Sequence, residues 1–223
     1  MEKAEQINTR QTLAYVLPFG VFVVLLALQS WIPIPQWLKF AAPLVAIAIF
    51  SREALSTRLV RPLFSIVLGV AVCVLWVGPE ILFPGYHNGW LFSNGILGHP
   101  ASTASAAQKS DIVFIVFRIL ASVIAVPLLE ELFWRGWLMR WLIDRDFTTV
   151  PLGEYDPQAF WIVAALFASE HGSFWDVGLL TGIIYNWWMV RTKSIWDCIL
   201  MHAVTNASLA SYVLYYDKWM YWL

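Results

Sequence analysis

Apolar residues fall in long runs separated by short polar breaks. A helix that crosses a bilayer needs about 20 mostly apolar residues. Seven stretches are candidates: 12–28, 34–50, 62–83, 111–142, 159–170, 175–190 and 195–216. The first follows a short basic segment with Lys3 and Arg10, like a signal peptide, but no small-x-small cleavage site follows Leu28. It is therefore expected to stay as a helix. The fourth is too long for one straight crossing and contains Pro127, so a kink or tilt is expected. The fifth is short. No internal repeat or low-complexity tract is visible. The pattern predicts an all-α, polytopic transmembrane bundle of about 7–8 helices, one integral membrane domain over residues 1–223. Residues 84–110, rich in Gly, Ser, Ala and Asn and containing His87 and His99, form an extramembrane loop, read as an exposed connector.

Composition agrees with a membrane chain. Hydrophobic residues make up 60% and charged residues 13% of the 223, against about 25% charged in soluble domains. That excludes disorder and an ordinary cytosolic enzyme. The 14 Trp suit the bilayer interface. A net charge of −1 gives no basic field for nucleic acid. Cys73 and Cys198 both lie in apolar runs and suggest neither a disulfide framework nor a metal site.

Basic residues set a direction. With the N-terminus inside, Lys3, Arg10, Arg52, Arg58, Arg61, Arg140, Arg145, Arg191 and Lys193 face the cytoplasm. Lys39, Lys109 and Lys218 face outward, while Arg118 and Arg135 lie within the fourth stretch. The bias favours the N-terminus inside and the C-terminus outside.

Three charges cluster late in the fourth stretch: Glu130, Glu131 and Arg135. Each costs about 2.5–3.5 kcal/mol at mid-bilayer. Glu131 and Arg135 are four apart on one helical face and can pair. Glu130 is turned about 100° away and needs another partner. His171 closes the fifth stretch. His202 and Asn206 share one face of the seventh, which must look into the bundle or toward water. A structural polar network, or a wet stretch near the surface, would also account for these groups. A carboxylate beside an imidazole, however, can take a proton from water. A second His and an amide can donate to the oxyanion formed when that water attacks a peptide carbonyl. No His-Glu-x-x-His, Gly-x-Ser-x-Gly or phosphate-cradling Gly loop occurs.

Glu-Glu-x-x-x-Arg at 130–135, Phe-x-x-x-His at 167–171 and His-x-x-x-Asn at 202–206, in that order, resemble the CPBP family. This is the CAAX protease and bacteriocin-processing (ABI) family, which includes the type II CAAX prenyl endopeptidases. The resemblance spans about residues 111–216, within the expected catalytic core of 110–216, and the chain looks most like the bacterial members, which implies a bacterial inner (plasma) membrane. It implies an intramembrane endopeptidase of the glutamic type, with no cofactor and no metal. Glu130 would activate water, assisted by His171. His202 and Asn206 would stabilise the oxyanion, and Glu131 and Arg135 would support Glu130. The implied partners are membrane lipids and a peptide or protein substrate in or at the membrane, with or without a lipid or prenyl anchor.

Two alternatives remain at this stage. One is a zinc protease with Glu130, His171 and His202 as ligands. The other is a non-catalytic immunity or scaffold protein. The charge bias also places His171 toward the outer end of its helix and Glu130 toward the inner end of its own. They meet if the fourth helix tilts, or if the fifth stops inside the bilayer at a break over Gly172 and Ser173. Glu170 is read as a surface charge at a helix end.

Overall fold

The structure, a computed structural model, describes residues 2–222. Eight helices follow one another: α1 Glu2–Leu28, α2 Gln36–Phe50, α3 Pro62–Leu82, α4 Ala106–Ser110, α5 Ile112–Trp141, α6 Pro157–Ser169, α7 Trp175–Thr192 and α8 Ile195–Tyr216. Among the described residues there is no strand, only an isolated bridge between Asn94 and Gly98. The expected all-α class holds.

All seven apolar stretches are helical, and among the described residues four helices are long and apolar enough to cross a membrane: Thr9–Leu28, Pro62–Leu82, Ile112–Trp141 and Ile195–Tyr216. α2 and α6 have 15 and 13 residues. At 1.5 Å per residue they reach only about 20–23 Å, short of a core about 30 Å thick. α7 has 18 residues but carries Asp176, Thr181, Asn186 and Arg191, because much of it is packed inside the bundle.

The kink expected at Pro127 takes a specific form. π-helical turns cover Ala121–Ala125 and Leu132–Leu138, on either side of the proline segment. A proline cannot donate its N–H, and its ring crowds the carbonyl four residues back, so a wider turn relieves the clash. The second π segment carries Arg135.

α3 packs on α8, α6 on α7, and α1 on α2. Asp197, in the first turn of α8, is fully buried and ties α3 to it. Its carboxylate accepts from the Val60 and Arg61 amides at 2.7 and 2.6 Å and from Ser65 Oγ at 3.1 Å. A carboxylate at the start of α3 also complements the helix dipole.

The segment between α3 and α4 is a folded cap. Glu80 accepts from the backbone amides of Gly85 and His87. The His87 ring is fully buried and bridges Glu80 at 3.0 Å and Asp176 at 3.2 Å. Trp175 Nε1 donates to the Leu91 carbonyl at 3.0 Å. These contacts hold the segment over the turn that joins α6 to α7, which departs from a freely exposed connector.

Candidate active site

α6 ends at Ser169, and Gly172–Phe174 form a 3-10 turn into α7. Gly172 has φ +50°, a left-handed conformation that glycine adopts without a side-chain clash. The break expected over Gly172 and Ser173 is therefore present, and it leaves His171 at the mouth of the turn. His171 Nδ1 donates to the Phe167 carbonyl at 2.8 Å. A carbonyl can only accept, so in the neutral ring the proton sits on Nδ1 and Nε2 keeps its lone pair. The ring rests between Phe167 and Trp76, with centroids 4.8 and 5.2 Å away.

Glu131 lies on the inward face of α5 and is fully buried. One oxygen, Oε1, accepts from Arg135 Nη1 at 3.1 Å and from His202 Nδ1 at 2.9 Å. The Glu131–Arg135 pair matches the expected four-residue spacing. Arg135 Nε donates to Asn186 Oδ1 at 2.9 Å, and Asn186 Nδ2 donates to the Phe160 carbonyl at 2.8 Å. The guanidinium also lies 4.6 Å from the Phe167 ring centre and 5.3 Å from that of Tyr185. One network thus joins α5, α6, α7 and α8.

Glu130 faces the other way, as the helical rotation requires. It lines a cavity of about 260 Å³ together with His171, His202 and Asn206. That volume holds several waters at about 30 Å³ each. Glu130 makes no hydrogen bond to another described residue. The partner expected for it among the histidines is corrected: His202 bonds Glu131, because its Nδ1 points at the inward face of α5. Asn206 Nδ2 donates to the Ser122 carbonyl at 2.7 Å, which leaves its second N–H uncommitted to that bond. Glu170 is exposed, in keeping with a helix-end charge, yet it lies within electrostatic range of Glu130.

Sequence reasoning missed several members of this site. Asn186 anchors Arg135. Tyr185 Oη donates to Thr205 Oγ1 at 2.9 Å, and that hydroxyl lies 3.0 Å from the Gly69 carbonyl on α3. Trp76 Nε1 donates to Thr181 Oγ1 at 2.9 Å behind His171. Lys39, read as an outward-facing surface charge, is buried beside the same cavity, where Nζ donates to Gln29 Oε1 at 2.7 Å. Asn186 alone had a usable signal, an amide inside an apolar run.

Among the described residues, no three His, Cys, Asp or Glu side chains converge closely enough to hold one metal ion. Glu130, His171 and His202 are thus not gathered as zinc ligands in this conformation.

Residues 112–208 match the family described as type II CAAX prenyl endopeptidase Rce1-like. Over that segment the chain is similar to this family. The Rce1-like segment runs through α5, α6, α7 and most of α8 and contains Glu130, Glu131, Arg135, His171, Asn186, His202 and Asn206. α1, α2 and α3 lie outside it, although Trp76 and Lys39 reach its cavity. With four long apolar helices, the Rce1-like match makes this an integral membrane protein. No curated protein and no solved structure matches the chain.

Proposed function

We propose that the protein is an intramembrane endopeptidase that cleaves a membrane-associated protein or peptide with water activated by Glu130 and His171. The observation that supports this most is the shared cavity: Glu130 from α5, His171 from the turn after α6, and His202 and Asn206 from α8 line a single space within the bundle.

The cavity and the hydrogen bonds of His171, His202 and Asn206 support the following roles. Glu130 takes a proton from a cavity water, and the His171 Nε2 lone pair holds that water's second hydrogen. The water oxygen bonds to the peptide carbonyl carbon, and the carbonyl oxygen becomes the oxyanion. The free N–H of Asn206 and a protonated His202 Nε2 donate to it. Glu131 accepts from His202 Nδ1, and Arg135 holds Glu131 in place. The C–N bond then breaks, and the proton held by Glu130 passes to the leaving amine. The family description suggests a prenylated substrate, the basic-residue bias suggests that the N-terminus is inside, and the likeness to bacterial members of the family suggests a bacterial inner membrane.

The test compares membrane peptides from cells carrying the wild-type chain or Glu130→Gln. Processing by Glu130 as base predicts that one or more uncut proteins accumulate in the variant, with turnover falling about 10²–10⁴-fold. Identical peptide sets at equal expression would sink the enzyme reading in favour of a scaffold. Loss of cleavage on chelation, restored by stoichiometric zinc, would instead move it to a metal mechanism.

A further inference from the structure

A second cavity lies where the ends of two apolar spans and of α2 meet. The apolar span of α1 begins at Thr9, α2 ends at Phe50, and α5 ends at Trp141. Between them is a space of about 590 Å³ whose charged lining, among the described residues, is Arg10, Arg52, Arg140 and Glu53. It shares no residue with the cavity of Glu130.

Arg140 is only 7% exposed, and no carboxylate among the described residues pairs with it. Nε donates to the Gly136 carbonyl at 2.6 Å and Nη1 to the Val150 carbonyl at 3.2 Å. The rings of Tyr15 and Phe147 lie 5.2 and 4.9 Å from the guanidinium, with the Tyr15 phenol beside it. Nη2 has no hydrogen-bond partner among the described residues. A guanidinium this buried calls for an anion. Arg10 and Arg52 are exposed, as is Glu53, so the lining carries a net positive charge.

We propose that this cavity binds the phosphate of an anionic phospholipid headgroup, with Arg140 as the buried anchor and Arg10 and Arg52 as the rim. The depth fits. Helix ends mark the level where headgroup phosphates stand, and basic pockets between membrane helices suit them. The chemistry fits as well, since guanidinium groups present paired N–H donors to phosphate oxygens. The proposal is independent of the peptidase reading.

The experiment uses the full chain in detergent and follows thermal unfolding on adding phosphatidylglycerol, phosphatidylcholine or inorganic phosphate. Phosphatidylglycerol is expected to raise the melting temperature saturably, with the other two having little effect. Arg140→Met also loses the bonds to Gly136 and Val150 and can unfold the chain, so the exposed pair carries the test. Arg10→Gln/Arg52→Gln should weaken phosphatidylglycerol binding about thirtyfold, from about fivefold per arginine. Native mass spectrometry gives a second readout, as phosphatidylglycerol retained by the wild type and lost from the double variant. Equal stabilisation by both lipids, or an unchanged affinity in the double variant, overturns the proposal. A shift produced by inorganic phosphate alone overturns the lipid assignment and leaves a site for a soluble phosphate.

Discussion

On the inward face of α5, Glu131 is fully buried and held by Arg135 and His202, whereas on the cavity face Glu130 stands without a hydrogen bond to any described residue. The two carboxylates are neighbours in sequence, and only the helical rotation separates their surroundings. The inward face is tied by side chains from α7 and α8, which leaves Glu131 little freedom to move. The cavity face keeps a carboxylate, an imidazole nitrogen and an amide proton turned toward one space. Burial with partners serves position, and exposure to a small cavity serves reactivity. The two faces meet at His202, whose Nδ1 belongs to the network while the residue also lines the cavity.

Removing Arg135 strains this contrast most. Arg135→Leu strips Glu131 of its guanidinium partner inside the bundle, and breaking a buried pair this way costs about 3–5 kcal/mol. Thermal unfolding in detergent should show that loss, while Glu130→Gln, measured beside it, stays within about 0.5 kcal/mol of wild type. If the two variants melt alike, the inward network does not hold α5 to α7 and α8, and the distinction between the faces disappears.

A smaller effect tests membership of the cavity face. Asn206→Ala should slow cleavage of the accumulated substrate by about 10²–10³-fold if its free N–H meets the oxyanion. Loss of the bond to Ser122 should cost only about 1 kcal/mol of stability. A variant that cleaves normally but melts early would move Asn206 to the structural side.

Much of the scaffold could be read from the pattern alone. α8 runs over Ile195–Tyr216 as expected, bounded by Ser194, which accepts from the Asp197 amide, and by Asp217 in a left-handed conformation. α3 starts at Pro62, where a missing N–H costs the helix nothing. The Glu131–Arg135 pair followed from spacing. The partner of His202 did not, because a sequence states which face a residue occupies on its own helix and nothing about the rotation of another. The π turns beside Pro127 were hidden for a related reason: a proline demands relief, and the local packing chooses its form. Lys39 misled because a lysine near a helix end normally reaches water, whereas Gln29 from the preceding turn takes its ammonium. The cap over His171 was hidden in a polar, glycine-rich segment whose order depends on His87 meeting two carboxylates 7 and 89 residues away.

The finest test concerns where His171 sits. A Cβ added at Gly178 of α7 would stand 3.1 Å from Cγ and Nδ1 of the His171 ring and 3.2 Å from its Cβ. Contacts that close require the ring to move by a few tenths of an ångström. It has little room, since Phe167 and Trp76 flank it and Nδ1 is bound to the Phe167 carbonyl. Gly178→Ala should therefore shift Nε2 in the cavity. A 1 Å misplacement can cost about 100-fold in rate, so this smaller shift should cost about tenfold. Stability should not fall with it, because alanine favours a helix interior over glycine by about 1 kcal/mol, which offsets the crowding. The informative result is an enzyme as heat-resistant as wild type and about ten times slower at saturating substrate. An equally stable variant with full turnover would mean that the position of His171 does not matter to the reaction, and the cavity face would be left with Glu130 working without it.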